Sequence, residues 1–195
     1  MARTPTVSDQ HILDAAQTVL VSRGVDSFTL SEVAKRVNLS RAAIILRFKS
    51  TRDLKAALLR RQLEEFKHFL ESCPTEPGGD NLLELASKIG GYVGSRESFS
   101  FFLTRYCDNL QEEELAALEV ERGLALKQAV SRAMPETAIP LDEAVTAFTA
   151  HLTGTFMAWP WSDEPNPRDY TIKQTILWLK LARIPLENVS PDTVN

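Results

Sequence analysis

The chain has 195 residues, of which 44% are apolar and 25% charged, the proportions of a globular protein able to bury a core. It contains no run of about 18 uncharged apolar residues, so the sequence offers no membrane-spanning helix. Met1-Ala2-Arg3-Thr4-Pro5 carries a basic residue but no apolar stretch, which argues against a secretory signal and for a cytoplasmic protein. Net charge is −4 overall, but it is unevenly spread. Residues 1–63 hold eleven Lys or Arg against five Asp or Glu, and residues 64–195 hold eleven against twenty-one. A polyanion would be drawn to the first third and repelled by the rest.

The chain reads as helix almost throughout, with no alternating strand pattern and no internal repeat. Ile12, Ala15, Ala16, Val19 and Leu20 follow the i, i+3, i+4, i+7, i+8 spacing of one buried helix face. Gly24 supplies a left-handed residue to end that helix. Thr29-Leu30-Ser31-Glu32 has the form of a capping box and opens a short helix with Leu30, Val33, Ala34 and Val37 turned inward. Asn38 is a suitable left-handed stop, and Ser40 caps the next helix at once, leaving room for a tight turn only. The third helix is predicted to end near Phe48-Lys49. Ser50-Thr51-Arg52-Asp53 resembles a second capping box at the head of a long helix through Leu70.

Pro74, Pro77, Gly78 and Gly79 then break the chain. Helices are predicted over about 81–92, around Phe99 to Tyr106, over 112–133 and over 141–159. Trp159-Pro160-Trp161 reads as loop. Asn166-Pro167 is a cap followed by an N1 proline, and the helix it starts runs to about Arg183. Nine helices result, and the polar tail over 186–195 is expected to be disordered.

A long helix, a capped short helix, a tight turn and a second capped short helix, all within the basic third, form a candidate helix-turn-helix. Two short helices need a third to bury their apolar sides, and the Ile12–Leu20 face can do so. Ile44 and Phe48 would anchor the second short helix inward. Arg41, Ala42, Ala43, Ile45, Leu46 and Arg47 then divide between groove-facing and flanking positions.

These residues resemble the TetR/AcrR family of transcriptional regulators. The resemblance runs from Ile12 to about Leu58, through Ile12-Leu13-Asp14-Ala15-Ala16, Arg23-Gly24, Thr29-Leu30-Ser31-Glu32-Val33-Ala34, Ser40 through Phe48, and Asp53-Leu54. It implies an all-α fold with a DNA-binding domain over 1–52 and a ligand-binding and dimerisation domain over 53–185. It also implies a homodimer built on the 141–159 and 168–183 helices, and a ligand-responsive repressor that binds a pseudo-palindrome in double-stranded DNA. Position by position, Thr29 would direct its helix N-terminus at a phosphate. Ser40 and Arg41 would stand at the start of the recognition helix, with Arg41 and Arg47 reading guanine edges and Ala42 and Ala43 touching thymine methyls. Lys49 and Arg52 would hold phosphates.

Three positions depart from the family pattern. Ile45 stands where an aromatic is usual, Thr51 where a lysine is usual, and Asn38 where a turn glycine is usual. The first two keep open a competing reading, an all-helical protein-interaction module that has lost specific DNA binding.

A catalytic reading has little support. His11, His68 and His151 are not within helical reach of one another, and no metal-ligand spacing or phosphate-cradling glycine loop occurs. No catalytic residue, metal or cofactor is expected. Glu112-Glu113-Glu114 reads as a helix N-terminus favoured by the macrodipole, and Cys73 and Cys107 as reduced thiols. A small, mainly apolar effector would bind between helices of the larger domain. Phe66, Phe99, Phe102, Tyr106, His151, Phe156 and Trp159 are its candidate lining, and core packing is the alternative role for each.

Overall fold

A computed structural model describes residues 7–25 and 27–187. The Met1–Pro5 segment, and the polar tail from residue 188 onward, lie outside the described residues. Among those described, the chain forms nine α-helices and no strand. They are α1 (Asp9–Arg23), α2 (Leu30–Arg36), α3 (Arg41–Phe48), α4 (Thr51–Glu71), α5 (Gly79–Val93), α6 (Arg96–Asn109), α7 (Glu113–Ala133), α8 (Leu141–Ala158) and α9 (Pro167–Leu181). The Trp159–Trp161 segment, expected as loop, is a turn of 3-10 helix with the Trp159 side chain fully buried. Proline at its second position suits a helical start, and the Trp159 indole N–H donates to the Glu164 carbonyl at 2.9 Å.

The chain divides into two compact units. The first comprises residues 1–65 with 101–120, and the second 66–100 with 121–195.

Caps set the elements of the first unit. Ser8, Thr29 and Ser40 each accept from the backbone N–H three residues on, at 3.2, 3.2 and 3.1 Å. Gly24 leaves α1 at φ +76° and Asn38 leaves the α2 end at φ +53°, where the Leu39 N–H reaches back to the Ala34 carbonyl. The Ser50 hydroxyl accepts from the Asp53 N–H at 3.0 Å and donates to the Asp53 carboxylate, which closes the head of α4. Inside, the α1 stripe of Ile12, Ala15, Ala16, Val19 and Leu20 shares one core with Leu30, Val33, Ala34, Ile44, Phe48, Leu54 and Leu58.

The second unit is built on α5 and α9. Leu82, Leu85, Ala86 and Ile89 of α5 join Ile176 and Leu179 of α9 and Phe148 and Leu152 of α8 in its core. Each buried leucine or isoleucine of that core contributes about 1.5–3 kcal/mol. The two helices approach so closely at Gly90 that a β-carbon there would lie 2.8 Å from Thr171 Oγ1 and 3.0 Å from the Arg168 α-carbon. Asn166 caps α9 by accepting from the Arg168 N–H at 2.9 Å, with Pro167 at the first helical position. Beyond α9 the chain folds back over the start of α5, where the Glu187 N–H donates to the Asp80 carboxylate at 3.0 Å.

Gly90→Ala should therefore lower stability by about 1–3 kcal/mol, because backbone on the facing helix cannot yield to the new methyl. Gly123→Ala, on an exposed stretch of α7 with nothing within 4 Å of the new carbon, should raise it by about 0.5–1 kcal/mol. Thermal unfolding of the two variants beside the parent checks both signs.

Candidate nucleic-acid interface

The two short helices present one face outward because their other faces are committed to the core. In α3, Ile44 is fully buried and Phe48 nearly so, with Ile45 half-buried against the same cluster. A helix pinned at positions 44 and 48 turns 42 and 46 to solvent, while Arg41 is exposed because it stands at the first position of α3, beyond the core contact. Arg41 and Ala42 are exposed, Ala43 is half-exposed, and Leu46 is 86% exposed. Leu46, one of six residues the sequence left undivided between groove and flank, is the most exposed large apolar side chain of the chain's described residues. The residues flanking α3 are also outward: Thr29 and Ser40 sit at exposed caps, and Lys49 is exposed at φ +56° where α3 ends. That left-handed φ is strained for a side chain larger than asparagine's. It turns the chain sharply, with the Ser50 N–H bonded to the Phe48 carbonyl.

The basic residues differ in whether they are already engaged. Arg41 and Lys49 have no ion pair with any described residue. Arg47, grouped with Arg41 by sequence, points instead at the start of α1. Its guanidinium donates to the Val7 carbonyl and pairs with Asp9 at 3.2 Å. Arg52 pairs with Glu112 at 3.1 Å and Glu114 at 3.8 Å, and Arg60 pairs with the same Glu114. Thr51 is half-buried beside Arg52 in the first turn of α4. Glu32 was expected to reach back to the Thr29 N–H; its carboxylate pairs instead with Arg23 at 2.7 Å and Lys35 at 2.8 Å. The hydrogen bond from Lys35 holds that carboxyl below the usual carboxylate range, and Arg23 adds to the effect.

The acidic partners of α4 were missed from sequence, since nothing local marks them. Asp108 meets Lys55 at 2.8 Å, and Asn109 is buried and donates to Glu119 at 2.6 Å. The only hint lay in the charge split itself, a basic third facing an acidic remainder.

The seven aromatic and histidine candidates for an effector site fall into several groups. Phe66 packs with Phe69 and Tyr92 at ring separations of 6.2 and 5.4 Å. Phe99 meets the edge of Trp159 at 6.2 Å, and both are buried. Arg96 lies over the same indole and donates to the Pro160, Ser162 and Glu164 carbonyls. Phe156 packs on the core of the second unit. Phe102 stacks on Tyr106 at 5.9 Å within the first unit. His151 of α8 lies beside the Phe148–Trp178 pair, 5.7 and 6.0 Å from the two rings, and its Nε2 is buried without a hydrogen-bond partner among the described residues. Burial pushes its pKa below the ordinary imidazole value, so it is neutral at pH 7.

Two clefts stand apart from these groups. A small cleft of about 10 Å³, room for a single water, lies in the first unit and is walled by Leu20, Leu58, Lys55, Gln62, Arg105 and neighbours. Its polar groups bond one another, as Lys55 does Asp108 and Arg105 does Gln62, leaving none aimed at a ligand. An open groove in the second unit runs between Leu124, Lys127 and Ser131 of α7 and Leu141, Val145 and Thr146 of α8. None of the seven candidates lines either cleft. Among the described residues no group of three or more His, Cys, Asp or Glu could hold a metal, and no helix is long and apolar enough to cross a membrane. Cys73 is buried and Cys107 exposed, and both are free thiols.

Residues 12–58, from the α1 stripe to the first turns of α4, match the family model described as bacterial regulatory proteins of the tetR family. The chain is 25% identical over 163 residues to the HTH-type transcriptional regulator TtgR of Pseudomonas putida, covering 76% of this chain and 78% of that protein. A TetR transcription regulator from Haloarcula marismortui has the same fold, with a TM-score of 0.76 at 14% identity over 89% of this chain and 96% of that one. The multidrug binding protein EbrR, in its complex with imidazole, superposes with a TM-score of 0.69 at 22% identity over 92% and 91%. An all-helical fold, a capped helix-turn-helix with an outward α3, and a family match over that same segment lead to one assignment. Residues 12–58 form a helix-turn-helix segment of the kind found in the tetR family of bacterial regulatory proteins.

Proposed function

We propose that the protein is a ligand-responsive repressor that binds a pseudo-palindromic operator as a homodimer in the cytoplasm. Residues 1–52 serve as the DNA-reading part and 53–185 as the part that dimerises and takes the effector. The observation that carries this reading is the outward face of α3, with Arg41 unpaired at its capped start and Ala42 and Leu46 exposed further along it. Arg41 is placed to read a guanine edge, and Ala42, Ala43 and Leu46 to meet thymine methyls. Arg47 can read a base only by giving up Asp9 and the Val7 carbonyl, so its first role is to tie α3 to α1. Thr29, Ser40 and Lys49 hold the backbone, with Arg52 beside them. With Ile45 packed inward and Thr51 short, this backbone grip depends on fewer side chains than the family usually supplies.

Dimerisation is supported by apolar side chains that α8 and α9 leave uncovered. Leu177 and Leu181 of α9 are 51% and 84% exposed, and Met157 and Trp161 at the end of α8 are 42% and 82% exposed. Ala147, Ala150 and Gly154 on the outer side of α8 would let a second copy approach closely. A pair of heads so joined would span successive major grooves. An effector shifts DNA affinity only by its preference for one arrangement of the two heads over another. EbrR has been crystallised with proflavin and with malachite green, both aromatic molecules. A ligand of that character suits the aromatic groups of the second unit.

Selection from random duplexes at two salt concentrations should recover an inverted repeat, with affinity falling steeply as salt rises. Arg41→Ala should cost about 1–3 kcal/mol on the selected site and flatten the preference at one position of each half-site. Lys49→Ala should weaken every sequence alike. Weak, unselective binding that ignores salt would favour the protein-interaction module instead.

Replacing Leu177 and Leu181 together by glutamate should convert the dimer to a monomer in sedimentation while leaving helix content intact. A variant of unchanged mass would move the dimer contact away from α9.

A further inference from the structure

We propose that Glu112, supported by Glu114, acts as an intramolecular stand-in for DNA phosphate on Arg52, and so sets how much of the first turn of α4 is available to an operator. This rests on the reading of Arg52 as a phosphate contact.

A carboxylate and a phosphate offer a guanidinium the same thing, paired anionic oxygens in a plane that accept from its N–H fork. Arg52 Nε lies 3.1 Å from Glu112 Oε2 and 3.8 Å from Glu114 Oε2, and the other Glu114 oxygen takes Arg60. Glu112 takes the Nε edge of the guanidinium, so a phosphate must either share the remaining N–H groups with it or displace it. In either case a phosphate arriving at Arg52 meets a carboxylate that competes for the same cation and repels it.

The acids are fixed in place by contacts other than this ion pair. Leu115 is fully buried against Ala56 and Leu59, and Lys55 holds Asp108 at 2.8 Å. The buried Asn109–Glu119 hydrogen bond ties the end of α6 to α7 across the turn. Arg41 and Lys49 face no such competitor. The interface therefore contains two unengaged cations, Arg41 and Lys49, and two engaged ones, Arg47 and Arg52, of which Arg52 is governed by the turn between α6 and α7. Both helices continue from this turn into the second unit, α6 backward through Ser100 and α7 forward through Glu121.

The test is a double-mutant cycle on the full chain, with Glu112→Gln, Arg52→Gln and the pair, measured by anisotropy on the selected duplex and on a scrambled one. Glu112→Gln should tighten binding to both duplexes about two- to fivefold, the range an exposed ion pair commands. Arg52→Gln should weaken both, and Glu112→Gln added to it should gain nothing further. Glu114→Gln, which also frees Arg60, serves as a second variant with the same expected sign. Unfolding midpoints taken alongside should shift little, separating availability of the cation from loss of structure. An equal gain from Glu112→Gln with and without Arg52 would mean general relief of negative charge and would overturn the proposal. No gain from it, with Arg52→Gln still weakening binding, would overturn it while leaving the phosphate reading intact. An Arg52→Gln variant that binds as the parent does removes the phosphate reading, and the proposal with it.

Discussion

A helix of seven residues and one of eight cannot hold their shape in water, because a single nucleating turn costs more than so few hydrogen bonds return. What makes α2 and α3 permanent is the apolar stripe of α1, onto which Leu30, Val33, Ala34, Ile44 and Phe48 close. Almost everything about the outward surface of α3 follows from that burial. Ile44 and Phe48 lie one turn apart, so together they fix the rotation of α3 about its axis, and with it which residues point outward. Arg47 reinforces the same arrangement from the polar side by gripping the first turn of α1. Loss of the stripe would leave the caps and cations intact in sequence and useless in space.

The legible parts of this molecule were those governed by contacts within a few residues. The α1 stripe was read residue for residue, because helical period and burial coincide there. The stops at Gly24 and Asn38 and the caps at Thr29, Ser40 and Asn166 were equally plain, since each is a bond between near neighbours. The reciprocal half of the Thr29 box failed for a non-local reason: Arg23, nine positions upstream, offers Glu32 a charge that outbids a backbone amide. Trp159 was read as loop because the prolines around it signal a break, whereas its indole is buried against Phe99, sixty positions earlier.

Site residues divide along the same line. Exposure of Ala42 and Leu46 could be inferred from the inward pair at 44 and 48, and that of Arg41 from its place at the helix start beside the Ser40 cap. The attachment of Arg47 to α1 and of Arg52 to the head of α7 could not, since both partners are distant in sequence and nothing in the motif selects them. The aromatics of the larger part were visible as residue types, but their grouping depends on helix–helix approach, which single-sequence periodicity does not encode. The Gly90 contact shows how fine that dependence is: one hydrogen in place of a methyl lets α5 and α9 meet.

Leu46 stands almost wholly in solvent on a face otherwise made of small and charged side chains. Such a side chain has one attractive counterpart in a major groove, the methyl group at C5 of a pyrimidine. In the proposed docking it would recognise the methyl and not the ring that bears it, so thymine and 5-methylcytosine would be equivalent partners. A regulator reading its site this way would respond to the methylation state of that site with no additional machinery.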